Sequence, residues 1–362
     1  MAAFKERGKM SWEAVFYYTD YQGSRKQKHK RGFKTKKEAL EWEREFLAKS
    51  EFNTEMSFKS LYELYIDDLK HRIRENTLRI KMTIIEKKIL PYFEKLKLEN
   101  ITPITIRNWQ NDILNSITRN GRPPTQTYVK TINNQLVAIF NYAVKYHNLK
   151  SNPCHKAGSI GKKNADEMEI WTVEEFSQFT SLLKHKPTSY TGFNILFWCG
   201  LRIGELLALM VGDIDLENKT ININKSYQRI SGRDVITPPK TPKSKRTIEI
   251  PDNLVIILEE YISKLYKPKK TSRLFNSTKY TFEHDMKLYS QKAGVKKIRL
   301  HDLRHSHTSF LFNHGVDALT ISKRLGHEKI QTTLDIYTHL YKSANDKLLT
   351  VLNNGNNLVI KK

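Results

Sequence analysis

The sequence contains little cysteine and no long apolar run. Only two cysteines, Cys154 and Cys199, occur among 362 residues, which excludes a fold held by a disulfide framework and is typical of a reducing compartment. No apolar run approaches the roughly 20 residues that span a bilayer, and the residues that follow Met1 lack the apolar core of a signal peptide. We therefore expect a cytoplasmic protein that has no membrane partner.

Acidic residues are too few to balance the basic ones. The chain has 62 Lys and Arg against 38 Asp and Glu, which gives a formal net charge of +24. Such an excess repels itself unless a polyanion is bound, so it favours nucleic acid as the partner. A basic protein without such a partner and a protein that binds an anionic membrane surface are the alternative interpretations of the charge alone.

The length suggests two or three domains, and residues 1–52 are predicted to form a small antiparallel sheet packed on one helix. Residues 12–18 alternate as a strand does, and the capping-box pair Thr35 and Glu38 opens the helix. Residues 21–37 include eight Lys or Arg and no acid. A solvated charge run is the alternative to contact with DNA phosphates, which we predict for Arg25, Lys26, Lys28, Lys30, Arg31 and Lys34.

Residues 56–150 are predicted to form a compact domain of four helices. Ser57 is placed to cap the first helix, and the others are expected around residues 76–96, 103–117 and 126–147.

A polar linker that contains glycine is predicted at residues 151–169. The third domain, residues 170–362, begins with a helix that the capping-box pair Thr172 and Glu175 opens. Four segments of this domain carry residue types that can support a reaction.

The first segment is apolar apart from Arg202 and Glu205, which lie three residues apart and share a helix face. A buried arginine needs a partner, so a structural ion pair is one interpretation. An anion clamp is the other, because a guanidinium fork matches two phosphate oxygens. The second segment places Lys240, Lys243 and Lys245 in or beside a hairpin, either as a basic surface loop or as donors to a ligand.

The third segment has His301 and Arg304 near the start of a helix that should end around residues 313–315. Protonation of His301 is disfavoured by its cationic neighbour unless an anion lies between them. The spacing of His301, His305 and His307 also permits a metal site as a rival interpretation, although no acid or thiolate cluster accompanies it.

The fourth segment contains His327 in a Leu-Gly-His sequence between two helical stretches, with Tyr337 ten residues later. A lone tyrosine is usually a packing residue. The order of the four segments is far more specific than any one of them.

Taken in order, these residues resemble the tyrosine recombinase, or phage integrase, family over essentially the whole chain. The lysine position of the family is best matched by Lys240 in the sequence Pro-Lys-Thr, and Lys243 and Lys245 lie nearby. The six catalytic positions of the family are filled, in chain order, by Arg202, Lys240, His301, Arg304, His327 and Tyr337.

The resemblance implies a DNA strand transferase in which Tyr337 attacks the scissile phosphorus and forms a 3′-phosphotyrosine. His301 is the expected base, and Lys240 is the expected acid for the leaving 5′ oxygen. Arg202, Arg304 and His327 would stabilise the negative charge that develops on the phosphate in the transition state. Glu205 would support Arg202. Because the covalent link conserves the energy of the broken bond, we expect neither a metal nor another cofactor.

The resemblance also implies a multidomain α+β protein. It would have a small sheet-plus-helix domain for arm-type DNA sites, a helical SAM-like core-binding domain, and a mainly α catalytic domain with a small antiparallel sheet. The expected partners are double-stranded DNA at core and arm attachment sites, a homotetramer on paired sites, an excisionase and a host DNA-bending protein in a bacterial cytoplasm. The expected function is integration and excision of a phage or other mobile element; a host-type recombinase, a type IB topoisomerase and a non-catalytic DNA-binding regulator are the alternatives.

Overall fold

A computed structural model divides the chain into two compact units, Met1–Asp166 and Glu167–Lys362. Each unit combines helices with a small antiparallel sheet, which confirms the predicted α+β class. No helix among the described residues is both long and apolar enough to cross a bilayer. The structure describes residues 3–5, 11–19, 25–50, 56–118, 120–147, 149–162, 169–239, 241–331 and 333–334.

The first unit opens with the predicted sheet and helix. Strands β1 (Ala3–Lys5), β2 (Trp12–Thr19) and β3 (Arg25–Phe33) pair in that order, all antiparallel, and helix α1 (Lys36–Ser50) covers one face. The small core between them contains Phe16. The strand β1 is absent from the sequence prediction, because three residues are too few to show an alternating pattern.

The helices of the first unit surround a second core. Predicted helix 76–96 is in fact two helices that break at Ile89. The break has a physical cause, because Pro91 lacks an amide hydrogen and its ring would clash with a carbonyl one turn earlier in a continuous helix. The helices are α2 (Phe58–Leu69), α3 (Glu75–Lys88), α4 (Leu90–Phe93), α5 (Pro103–Asn115), α6 (Gln126–Tyr146) and α7 (Pro153–Ala157).

The short helix α7 lies inside the segment that the sequence assigns to a linker. Its residues Cys154 and Ala157 are buried in the core of the helical part of the unit. Gln110 donates a hydrogen bond to the Gly158 carbonyl over 2.8 Å. The start of that segment is therefore part of the first unit's packing.

The second unit has seven helices and five strands among its described residues. Strands β4, β5 and β8 form one antiparallel sheet, while β6 and β7 form a separate hairpin. The elements are α8 (Val173–Ser181), α9 (Pro187–Cys199), α10 (Ile203–Ala208), β4 (Ile214–Asp215), β5 (Thr220–Ile223), β6 (Ser226–Ile230), β7 (Arg233–Thr237), β8 (Arg246–Glu249), α11 (Asp252–Ser263), α12 (Lys279–Lys292), α13 (Asp302–Asn313) and α14 (Ala318–Leu325).

Helix α9 lies at the centre of the second unit and positions the site. Most of its side chains are buried, including the polar Ser189 and Asn194, and it is packed by α8, α11, α12 and α13. It ends at Gly200, whose φ of 63° is left-handed. A Cβ there would lie 2.7 Å from Cδ2 of His307, so only glycine lets the chain turn towards Arg202 at this point.

Candidate active site

Arg202 and Glu205 form the ion pair that the sequence offered as the structural interpretation. Arg202 directly precedes α10, and Glu205 lies in the first turn of that helix. The Arg202 amide donates to Oε2 of Glu205 over 3.0 Å, and Nη1 of Arg202 donates to Oε1 over 2.8 Å. The Glu205 side chain is buried, whereas that of Arg202 is 38% exposed. The pair therefore anchors an arginine at the surface, where it can still meet an anion.

A second arginine, Arg246, binds the same carboxylate and was missed by the sequence analysis. Its Nη2 donates to Oε2 of Glu205 over 3.0 Å, and its side chain is only 7% exposed. The signal was present in the strand pattern, because Arg246 shares a face with the buried residues Ile248 and Ile250. An arginine on the buried face of a strand requires an acidic partner.

The buried carboxylate of Glu205 is ionised. Burial alone would raise its pKa, but Arg246, Arg202 and Arg304, in decreasing order of effect, together outweigh it and lower the pKa to about 2. Three arginines thus surround one carboxylate, and the site keeps a positive charge.

Arg304 lies in the first turn of α13 and is almost completely buried. Its Nη1 donates to the Gly200 carbonyl over 2.8 Å, and its Nη2 donates to the Leu325 carbonyl over 2.7 Å. These carbonyls stand at the ends of α9 and α14, where the backbone acceptors have no partner within the helix. Arg304 therefore joins the two helix ends that border the site.

His301 and His327 are both held in the neutral form. Burial lowers the pKa of His301, and the nearby charges of Arg304 and Arg202 lower it further. Burial and the same two arginines lower the pKa of His327 to about 3. Arg202, Arg304, His301 and His327 therefore interact electrostatically in the structure. Arg304 disfavours protonation of His301, as the sequence predicts.

The other two histidines of the third segment play different structural parts. The His305 ring packs edge-on against the ring of His301, with centroids 5.0 Å apart. His307 is buried beneath Gly200, and its Nε2 accepts a hydrogen bond from Arg324 over 3.3 Å. Within the part of the chain that the structure describes, no three His, Cys, Asp or Glu side chains are grouped as a metal site.

Lys240 and Tyr337 lie outside the described residues. Of the two neighbouring lysines, Lys243 is exposed, and its Nζ donates to the Glu328 carbonyl over 3.1 Å. Lys245 is also exposed. The loop that follows β7 therefore reaches the segment directly after His327.

The basic residues of β3 divide between the two faces of the N-terminal sheet. Lys28 and Lys30 lie over the aromatic rings of Phe46 and Trp42 in α1, and strand alternation puts Lys26 on the same side. Arg25, by contrast, lies over the Tyr17 ring on the face away from α1.

Two further residues of this unit that were predicted to contact DNA, Arg31 and Lys34, have acidic neighbours. Nε of Arg31 donates to Glu13 over 3.0 Å. Lys34 precedes α1, and its backbone amide donates to Glu38. The predicted DNA contacts therefore do not form one continuous surface.

Comparison with known proteins gives one consistent result across the chain. Residues 171–344 match the model of the phage integrase family, residues 57–114 match the phage integrase N-terminal SAM-like domain, and residues 4–50 match an arm DNA-binding domain. The ICEBs1 integrase of Bacillus subtilis is 32% identical over 346 residues, which cover 87% of this chain and 90% of that protein. The integrase of Mycobacterium phage L5 is 28% identical, with 67% and 65% covered.

Solved structures show the same fold. The Tn1549 transposon integrase in complex with transposon right end DNA matches with a TM-score of 0.65 at 20% identity, covering 82% of this chain and 100% of that one. A lambda integrase dimer bound to a core site matches with a TM-score of 0.60 at 15% identity, covering 92% and 93%.

Proposed function

Because this chain belongs to the phage integrase family of tyrosine recombinases, which are site-specific DNA recombinases, we propose that its reaction centre is the cluster around Arg202 and Arg304. The observation that carries the proposal is geometric. Nη1 of Arg304 donates to the carbonyl of Gly200, two residues before Arg202, and Nη2 donates to the carbonyl of Leu325, two residues before His327. The charges of both arginines also lower the pKa of His301 and of His327. A phosphodiester placed among these four groups would meet fixed positive charge and neutral imidazoles.

The arginines would stabilise the transition state of phosphoryl transfer. Charge develops on the non-bridging oxygens of the scissile phosphate, and fixed cationic donors stabilise it without reorganisation. Arg202 is exposed enough to donate directly to those oxygens. Arg304 adds its charge from the floor of the site, and His327 adds a further donor. Glu205 would act by holding Arg202 in place.

Tyr337 would attack the phosphorus, and the bond from phosphorus to the 5′ oxygen would break. His301 would take the phenolic proton, which requires the neutral imidazole that its lowered pKa provides. Lys240 would give a proton to the departing 5′ oxygen. The product is a 3′-phosphotyrosine, and a 5′ hydroxyl of the partner strand then reverses the reaction on the other DNA.

Each part of the chain is assigned a role that agrees with the family models it matches. We assign residues 1–52 to arm-type DNA sites, residues 56–150 to the core site and residues 170–362 to catalysis. Residues 151–169 would be a linker whose start, which includes α7, packs in the core of the first unit. The matched arm-binding and SAM-like models support the first two assignments. The proposed biological reaction is integration and excision of a phage or other mobile element by a homotetramer on paired sites, with an excisionase and a host DNA-bending protein as accessory partners.

A suicide DNA substrate tests the proposed nucleophile. The full chain should form a covalent protein–DNA adduct when the nicked strand end diffuses away. Tyr337→Phe keeps the ring and removes the hydroxyl, so it should bind the same DNA but form no adduct. Tyr341→Phe is the matched control, and it should still cleave. An adduct formed by Tyr337→Phe would overturn the assignment.

A further inference from the structure

Arg246 connects three segments that border the proposed reaction centre. It is the first residue of β8 and directly follows the loop that contains the lysines. Besides Glu205, its guanidinium donates from Nε to the Arg324 carbonyl over 2.7 Å and from Nη1 to the Ser244 carbonyl over 3.1 Å. One buried side chain therefore ties α10, the end of α14 and the loop together.

Arg246 is linked to Arg202 through the carboxylate of Glu205. Oε1 of Glu205 accepts from Nη1 of Arg202 over 2.8 Å and from Nη1 of Arg246 over 3.3 Å. Oε2 accepts from the Arg202 amide over 3.0 Å and from Nη2 of Arg246 over 3.0 Å. Because each oxygen serves both arginines, a displacement of Arg246 would also displace Arg202.

Arg246 is also linked to His327, through the backbone at the end of α14. The carbonyls of Arg324 and Leu325 belong to the last turn of α14, and they accept hydrogen bonds from Arg246 and Arg304 respectively. Gly326 follows, and a Cβ on it would lie 3.2 Å from both Cδ and Nη1 of Arg246. The backbone that leads into His327 is therefore packed directly against the Arg246 guanidinium.

We propose that Arg246 is a positioning residue that sets the separation of Arg202 and His327 across the scissile phosphate. The inference rests on the proposed function, in which these two residues contact that phosphate. The planar guanidinium can bind a carboxylate and a carbonyl in different directions at once. Lysine has one flexible donor group, so it can neutralise Glu205 but cannot hold the end of α14 at the same time.

The test compares Arg246→Gln and Arg246→Lys with a control that breaks a different ion pair to a buried carboxylate. Lys186 donates to buried Asp285 over 2.6 Å. It precedes α9, and this helix of 13 residues is about 20 Å long, so the pair lies at the end of α9 away from Arg202. Lys186→Gln should therefore lower the melting temperature but leave the cleavage rate unchanged.

The decisive readout is the single-turnover cleavage rate with a saturating suicide DNA substrate, at a temperature where each variant is folded. A misplacement of about 1 Å costs on the order of 100-fold in rate, and we expect that loss for Arg246→Gln. We expect a smaller loss for Arg246→Lys, and little change in affinity for a DNA half-site in either variant. Arg246→Lys retains the charge, so it keeps the test open if Arg246→Gln does not fold.

A double substitution separates positioning from simple stabilisation. If Arg246 acts through Glu205, Arg246→Gln combined with Glu205→Gln should slow cleavage by less than the product of the two single effects. Multiplied effects, or a folded Arg246→Lys that cleaves at the rate of the unsubstituted chain, would overturn the role of Arg246. Failure of the unsubstituted chain to form any adduct would instead overturn the proposed function.

Discussion

At the scale of single residues, Arg202 and Arg304 differ in a way that the sequence does not reveal. The family resemblance gives the two arginines the same role, which is to stabilise the charge on the scissile phosphate. In the structure Arg202 is partly exposed and has one carboxylate partner, whereas Arg304 is buried and donates to the carbonyls of Gly200 and Leu325. Arg304 therefore combines the assembly of the site with its electrostatics, and its loss should affect both.

The state of His301 leads to a pH prediction. A base must be neutral to accept the phenolic proton, and the pKa of His301 lies below its ordinary value of 6.5 because of burial, then Arg304 and Arg202. Cleavage should therefore keep its rate as the pH falls to 6.5, and it should decline only when the pH passes through the lowered pKa. Single-turnover rates between pH 5 and pH 8 would test this.

The control for the pH measurement is His301→Gln, which cannot accept the proton. That variant should cleave slowly, and its rate should not show the decline at low pH that protonation of His301 causes in the unsubstituted chain. A rate for the unsubstituted chain that already halves near pH 7 would contradict the assignment of His301 as the base.

At the scale of elements, the site is built from the ends of helices. Helices α9 and α14 both end in a left-handed glycine, Gly200 and Gly326. Arg304 binds the carbonyl of Gly200 and that of the residue just before Gly326. Free carbonyls at helix C-termini attract cations, so these two ends hold the buried arginine firmly.

Gly326→Ala tests this packing. Left-handed backbone costs about 1–2 kcal/mol for a residue with a Cβ, and here the Cβ would also lie 3.1 Å from the Lys243 carbonyl oxygen. Gly315→Ala is the matched control, because Gly315 follows α13 with a φ of 81° and has nothing within 4 Å of the added Cβ. Thermal melts should show a larger loss for Gly326→Ala, and only that variant should cleave slowly. Equal behaviour of the two variants would mean that the close approach has no consequence.

The sequence predicts those elements whose signals are local. Ser57 and Thr172 cap helices where the sequence places them, and α13 ends at Asn313 as expected. The break between α3 and α4 was missed because the apolar pattern continues through Pro91. For Arg246, the strand pattern indicates a buried face and hence a need for an acidic partner. That partner, Glu205, is 41 residues away, and no local pattern identifies a partner at that separation.

At the scale of the whole molecule, the net charge of +24 is distributed over surfaces that differ in what they can bind. The N-terminal sheet has α1 on one face, so only the opposite face can lie flat on DNA. Arg25 is on the open face, above Tyr17, whereas Lys28 leans over Phe46 of α1. We therefore expect the two side chains to differ in their contribution to arm-site binding.

Salt dependence measures that difference in the full chain. Each phosphate contact contributes a slope of about −0.9 to the logarithm of affinity against the logarithm of salt concentration. Arg25→Gln should reduce the slope for element-end DNA by about that amount, and Lys28→Gln should reduce it less. The reverse order would place the DNA on the side of α1.

The central claim is that this chain cuts DNA through Tyr337, and mapping the covalent adduct tests it most directly. After reaction with a suicide substrate and nuclease trimming, trypsin should release residues 330–342 with a nucleotide attached, a peptide that contains both Tyr337 and Tyr341. Fragmentation of that peptide should place the nucleotide on Tyr337. A nucleotide on Tyr341 or on any other residue would contradict the account.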